Sequence, residues 1–86
     1  MNYIVRLHPK VVKFLDKCDT FLNERIRKRL TLLNDDPFRY LEHYEGENVY
    51  KFRIGDYRAL VDVDQSRKII FVRLLDHRGK IYKREL

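Results

Sequence analysis

The chain has 86 residues, with 19 Lys or Arg against 13 Asp or Glu and 44% apolar residues, which suits one domain over residues 1–86 with a small core. No apolar run nears the ~20 residues that span a bilayer, no secretion-signal pattern follows Met1, and the single Cys18 excludes a disulfide framework or cysteine-based zinc cluster; a cytoplasmic protein without a membrane partner is expected. The net charge of +6 points to a polyanionic partner, through counterion release from phosphates.

In chain order, Tyr3-Ile4-Val5-Arg6-Leu7 predicts a short strand. Pro9 suits a first helical position, and Val11, Phe14, Leu15 and Cys18 follow at the spacing of one helical face. Asp19-Thr20 offers an N-cap for a second helix, whose apolar face is Leu22, Ile26, Leu30 and Leu33. That helix ends near Asn34, ahead of Pro37. The tight joint between the two predicts a helical hairpin. Residues 35–48 read as irregular and acidic.

From Val49 the period changes to two. Val49-Tyr50-Lys51-Phe52-Arg53-Ile54 alternates, Gly55-Asp56 predicts a type II′ turn, and Tyr57 to Val63 forms the partner strand. After a turn at 64–67 comes Lys68 to Leu75, the most apolar strand. The fold class is therefore α+β: a two-helix hairpin packed on an antiparallel sheet, in the order β-α-α-β-β-β.

A two-residue turn fixes the first hairpin's register: Ile54 faces Tyr57, Arg53 faces Arg58, Phe52 faces Ala59 and Lys51 faces Leu60. If the second hairpin closes through 64–67, Val61 faces Ile70, Arg58 faces Arg73 and Leu60 opposes Phe71. Tyr50, Phe52, Ile54, Tyr57, Ala59, Val61, Val63, Ile70, Val72 and Leu74 then face the helices. Lys51, Arg53, Arg58 and Arg73 converge on the other face. Solvated sheet faces often carry Lys and Arg without function. Three arginines in a row, with no acid between them, repel one another and favour a phosphate-binding surface instead. The basic segment Asp76-His77-Arg78-Gly79-Lys80-Ile81-Tyr82-Lys83-Arg84 adds to it.

Other chemistries find little support. His8, His43 and His77 are far apart in sequence, so no metal site is expected, and no glycine-rich phosphate loop or other cofactor motif is present. Cys18 reads as packing. The acids Glu42, Glu45 and Glu47 could supply a base but read better as a solvated loop. One chemistry needs neither metal nor a histidine–carboxylate pair, RNA cleavage: the 2′-OH attacks the neighbouring phosphate while cations stabilise the phosphorane and a neighbouring Lys or Tyr accepts the proton. Lys51 and Tyr82 are the candidates.

Tyr50-Lys51-Phe52-Arg53-Ile54-Gly55-Asp56-Tyr57-Arg58, followed by Asp76-His77-Arg78 and Ile81-Tyr82-Lys83, resembles the RelE toxins of the RelE/ParE superfamily, most closely their archaeal members. The resemblance covers essentially the whole chain. It implies a microbial RNase-like fold and a type II toxin that cuts mRNA in the ribosomal A site, leaving a 2′,3′-cyclic phosphate, until a RelB-type antitoxin neutralises it. By resemblance, Lys51 and Arg53 match the basic strand residues, one of them the base, and Arg58 the phosphate-binding arginine. Arg78 matches the C-terminal arginine with leaving-group or transition-state duty, and Tyr82 the tyrosine that stacks on a base and orients the nucleophile. Arg73 joins them on register alone; with His77, Lys80 and Lys83 it makes up the expected RNA-binding set. Leu60, Ile69 and Phe71, apolar residues on the cationic face, are the expected antitoxin-binding residues. The alternatives are a ParE-like DNA gyrase inhibitor and a non-catalytic ribosome- or RNA-binding module.

Overall fold

The computed structural model describes residues 2–46 and 48–81. Strand β1 (Ile4–Leu7) leads into helix α1 (Pro9–Lys17) through His8, whose imidazole Nδ1 accepts from the Lys10 amide at 3.0 Å and caps the helix with Pro9 in its first turn. Asp19 caps helix α2 (Thr20–Thr31) in the same way, accepting from the Leu22 amide at 2.8 Å. The joint is pinned where the Asn23 side-chain amide donates to the Leu15 carbonyl at 2.7 Å. A 3-10 turn, Leu32–Asn34, extends α2 and drives Leu33 fully into the core.

The remaining strands are β2 (Leu41–Glu45), β3 (Val49–Ile54), β4 (Tyr57–Asp64) and β5 (Ile69–His77), in one sheet of order β1-β5-β4-β3-β2. Among the described residues only β1 runs parallel to its neighbour, β5. The fold is thus the expected helical hairpin on a mostly antiparallel sheet, with one strand more than the sequence suggested. Strand β2 falls in the stretch read as irregular. It is an edge strand with charged or polar side chains toward solvent, so it lacks the one-sided apolar alternation of its neighbours, and pairing with β3 rather than its own pattern defines it.

The first hairpin has the expected register throughout, Arg53 opposite Arg58 and Lys51 opposite Leu60. Gly55 sits at φ 58°, the conformation that the first position of a type II′ turn requires. The second hairpin corrects the reading. Its turn lies further on, so Asp64 faces Ile69, Val63 faces Ile70 and Val61 faces Val72, not Ile70. A β-bulge then places Leu74 opposite Leu60 and leaves Arg73 without an opposing residue. Beyond the bulge, alternation shifts by one residue. Leu75, not Leu74, enters the core, and Arg58 faces Asp76, not Arg73.

Phe52, Leu15, Ile26, Leu33, Ile70 and Val72 are fully buried between the helices and the sheet, with Ile54, Ala59, Val61, Val63 and Leu75 around them. Leu60 is also fully buried, but it and Ile81 lie outside this helix-facing core. The opposite face is therefore not uniformly open, and Leu60, expected as an accessible docking residue, is not accessible.

Candidate active site

The open face of the sheet is set by cross-strand neighbours. Glu42 on β2 lies opposite Lys51 on β3, and Lys51 opposite Leu60 on β4; in the next register position, Arg53 lies opposite Arg58. Residues directly opposed in antiparallel strands share a face, so these two rows place one carboxylate and three cations side by side. Arg78 completes the group from the turn after β5, where its amide donates to the Asp56 carbonyl at 2.9 Å and ties that turn to the Gly55-Asp56 hairpin. Together Glu42, Lys51, Arg53, Arg58 and Arg78 line a concave site of about 330 Å³.

Four of the expected catalytic residues therefore meet at one place: Lys51, Arg53, Arg58 and Arg78. Arg58 is held by its own hairpin, Nη1 donating to the Gly55 and Tyr57 carbonyls, each at 2.7 Å. Lys51 Nζ stands 3.7 Å from Glu42 Oε2. Tyr82 and Lys83, expected as a catalytic and an RNA-binding residue, lie outside the described residues.

Several expected participants stand elsewhere. Arg73, displaced by the bulge, pairs with Asp62 at 3.7 Å and does not line the site. The third position of the supposed arginine row is held by buried Asp76, whose carboxylate accepts from the His77 amide at 2.7 Å. His77 lies across from Tyr57, and the two rings meet edge-on at 5.7 Å; its Nδ1 accepts from the Gly79 amide at 3.2 Å. His77 thus braces the turn that carries Arg78. Lys80 is exposed outside the concavity. Ile69 and Phe71 are half-buried at the other end of the sheet. There Phe71 lies opposite Asp62, not Leu60, and packs edge-on against His8 at 5.9 Å.

Two supporting residues were missed. Arg29 of α2 donates from Nη2 to the Arg53 carbonyl at 3.0 Å, with its guanidinium 5.1 Å above the Phe52 ring. Arg25, one turn earlier, lies so close to Gly55 that a Cβ there would come within 2.8 Å of its Nη2. Helix α2 thus grips the end of the hairpin that carries Arg53 and Arg58. Their four-residue spacing beside Ile26 was the available signal, but it does not tell a solvated arginine from one that reaches a neighbouring strand.

The arrangement can bind and polarise a phosphodiester. Arginine guanidinium groups stay charged and suit phosphate oxygens geometrically, and a sheet holds them before any ligand arrives. Among the described residues no three His, Cys, Asp or Glu side chains gather as a metal site would require, and no helix is long and apolar enough to cross a membrane.

Comparison with known proteins fits this geometry. A chain of the archaeal RelE–RelB complex from Pyrococcus horikoshii OT3 superposes with a TM-score of 0.81 at 29% identity, over 93% of this chain and 99% of that one. A chain of the RelBE2 toxin–antitoxin complex from Mycobacterium tuberculosis gives a TM-score of 0.79 at 22% identity, over 91% and 100% of the two chains. The isolated E. coli RelE toxin gives 0.73 at 19% identity, over 98% and 99%. The last two likenesses concern the fold alone. No curated protein sequence matches the chain. The model for the ParE toxin of type II toxin–antitoxin systems matches residues 5–81, nearly the whole domain and all the strands that build the cationic site. This chain accordingly belongs to the RelE/ParE superfamily of type II toxin–antitoxin toxins.

Proposed function

We propose that the chain is a ribosome-dependent endoribonuclease of the cytoplasm that cuts mRNA in the A site without a metal ion and so stops translation. The observation that carries this reading is the convergence of Lys51, Arg53, Arg58 and Arg78 in one concavity on the open sheet face. Scattered surface charge needs no such meeting. In the reaction, the arginines seat the scissile phosphate and offset the charge that builds on its non-bridging oxygens. Arg58, fixed by two backbone carbonyls, loses little freedom in doing so. Arg78 faces the departing 5′-oxygen. The ribosome supplies the aligned RNA, a large share of the barrier when the attacking 2′-OH must stand in line.

The partner that restrains it is a RelB-type antitoxin. Toxins of this fold are seen bound to RelB in Pyrococcus horikoshii OT3 and Methanococcus jannaschii. Such a partner need not rest on Leu60, which is buried; Ile69 and Phe71 remain partly accessible beside Asp62 and Asp64.

The match to the ParE toxin model favours a second reading, inhibition of DNA gyrase by protein binding. A purified translation system separates the two. The first reading predicts that a translated mRNA is cut at codon intervals and that gyrase supercoiling is untouched; blocked supercoiling with intact mRNA would establish the second. A protein that binds ribosomes yet does neither is the non-catalytic module.

A further inference from the structure

Arg53 enters the site at the point where the β2 ladder runs out. Residues that flank a two-residue turn exchange backbone hydrogen bonds and the next pair does not. With Ile54 opposite Tyr57 across Gly55-Asp56, the Arg53 carbonyl therefore points away from β4, toward β2. The pairing with β2 ends at Leu41 opposite Phe52. Tyr40 would come next, but its amide donates to the Pro37 carbonyl at 3.0 Å and closes the 3-10 turn Pro37–Arg39. The missing rung is filled from the helical layer. Arg29 Nη2 donates to the Arg53 carbonyl at 3.0 Å, and the guanidinium lies 5.1 Å from the Phe52 ring and 5.8 Å from the Tyr40 ring. Leu30, beside it on α2, and Phe52 are both buried, so the contact is anchored in the core at each end.

A tie is needed at this place. Arg53 and Arg58 are like charges directly opposed across two strands, an arrangement that pushes the strands apart. A charged donor on a carbonyl makes a stronger bond than the amide it replaces, and the aromatic faces hold the cation from the side. Arg29 reaches the sheet from the helix side and is not among the groups that line the concavity, so whatever it does for the site passes through Arg53. Resting on the RNA-cleaving reading above, we infer that Arg29 is a positioning residue for the reaction: it fixes the β3 backbone at Arg53, and with it the guanidinium that Arg53 presents to the scissile phosphate beside Arg58. Geometry of this kind is costly to lose, because a shift of about 1 Å in a group that aligns the reacting atoms lowers a rate by as much as ~10²-fold.

The test is single-turnover cleavage on ribosomes holding a defined A-site codon, at increasing full-length toxin. It compares wild type with Arg29→Met, Arg29→Lys, Arg53→Ala and the Arg29→Met, Arg53→Ala double variant. Arg27→Met is the control: it removes an equal charge from the same helix, at a residue whose Nε donates to Asn23 Oδ1 at 2.8 Å. Arg29→Met should keep a cooperative melting transition and half-saturate within about twofold of wild type, yet cleave about tenfold or more slowly. Arg29→Lys, whose ammonium can still donate to the carbonyl and sit over Phe52, should recover part of the rate. In the Arg53→Ala background Arg29→Met should cost less than about threefold, because a residue that acts through Arg53 has nothing left to place. In the free toxin the Arg53 carbonyl ¹³C resonance should move in Arg29→Met and stay in Arg27→Met. Wild-type cleavage by Arg29→Met, an undiminished loss in the Arg53→Ala background, an equal loss in Arg27→Met, an unmoved resonance, or weaker half-saturation at an unchanged maximal rate would each overturn the inference. Arg29→Gln answers the same question should Arg29→Met fail to fold. If wild-type toxin leaves the ribosome-bound mRNA whole, the RNA-cleaving reading falls and the role of Arg29 falls with it; an active wild type beside an unimpaired Arg29→Met removes only the positioning.

Discussion

The site depends on a few side chains whose loss should separate chemistry from stability. Arg58→Ala removes an arginine that lines the concavity beside Arg53, at a residue that points away from the helix-facing core. Cleavage should fall by about 10²-fold, the scale of deleting one preorganised transition-state donor, with a cooperative melting transition retained; a folded variant that cuts normally would remove Arg58 from the mechanism. Gly55→Ala tests the neighbouring support. Its φ of 58° suits glycine, and the added Cβ would meet Arg25 Nη2 at 2.8 Å. About 1–2 kcal/mol should be lost, read as a lower urea midpoint at unchanged slope. Asp64 carries the residue-scale pH dependence. The Arg67 amide first, and then the Ser66 hydroxyl, hold its carboxyl below the usual carboxylate range. A group depressed in the folded state contributes above its unfolded pKa and loses that contribution as pH falls through the folded one. Amide exchange at Arg67 should therefore be slow at pH 5 and quicken below about pH 4 relative to the intrinsic rate, and Asp64→Asn should abolish that dependence.

At the scale of elements, helix α2 both fills the core and holds the site. Its N-cap is Asp19, and Asp19→Ala should cost about 1 kcal/mol, measured by thermal melting. What could be read ahead of the structure followed a simple rule: where one face of an element is buried and the other wet, the period shows. The two helices, β3 and β4 obey it, so the hairpin register at Gly55-Asp56, and with it the juxtaposition of Lys51, Arg53 and Arg58, was legible. Strand β2 escapes because an edge strand with a polar outer side carries no such period, so Glu42, one of three acids that could supply a base, reads from the sequence as part of a solvated loop. Arg73 was misplaced for a different reason. A bulge is a choice between nearly equal pairings, and here the burial of Leu75 in place of Leu74 decides it, a packing preference that no local pattern declares.

Taken whole, the molecule divides its labour between two faces of one sheet. The helices cover one and supply stability, while the other carries a concavity where, among the described residues, Lys51, Arg53, Arg58 and Arg78 gather beside Glu42. Phe71 lies toward the far end of that open side, packed on His8. Phe71→Asp should weaken antitoxin binding at least tenfold while leaving the melting temperature of the free toxin within a few degrees; tight binding by this variant would place the antitoxin elsewhere. The claim on which the functional reading rests is that these cations promote attack by RNA's own 2′-OH. The most direct measurement is the chemistry of the ends left on an mRNA cut in the ribosomal A site. A 2′,3′-cyclic phosphate upstream and a free 5′-OH downstream are predicted, whereas a 3′-OH upstream with a 5′-phosphate downstream would mean that water attacked and would contradict the mechanism.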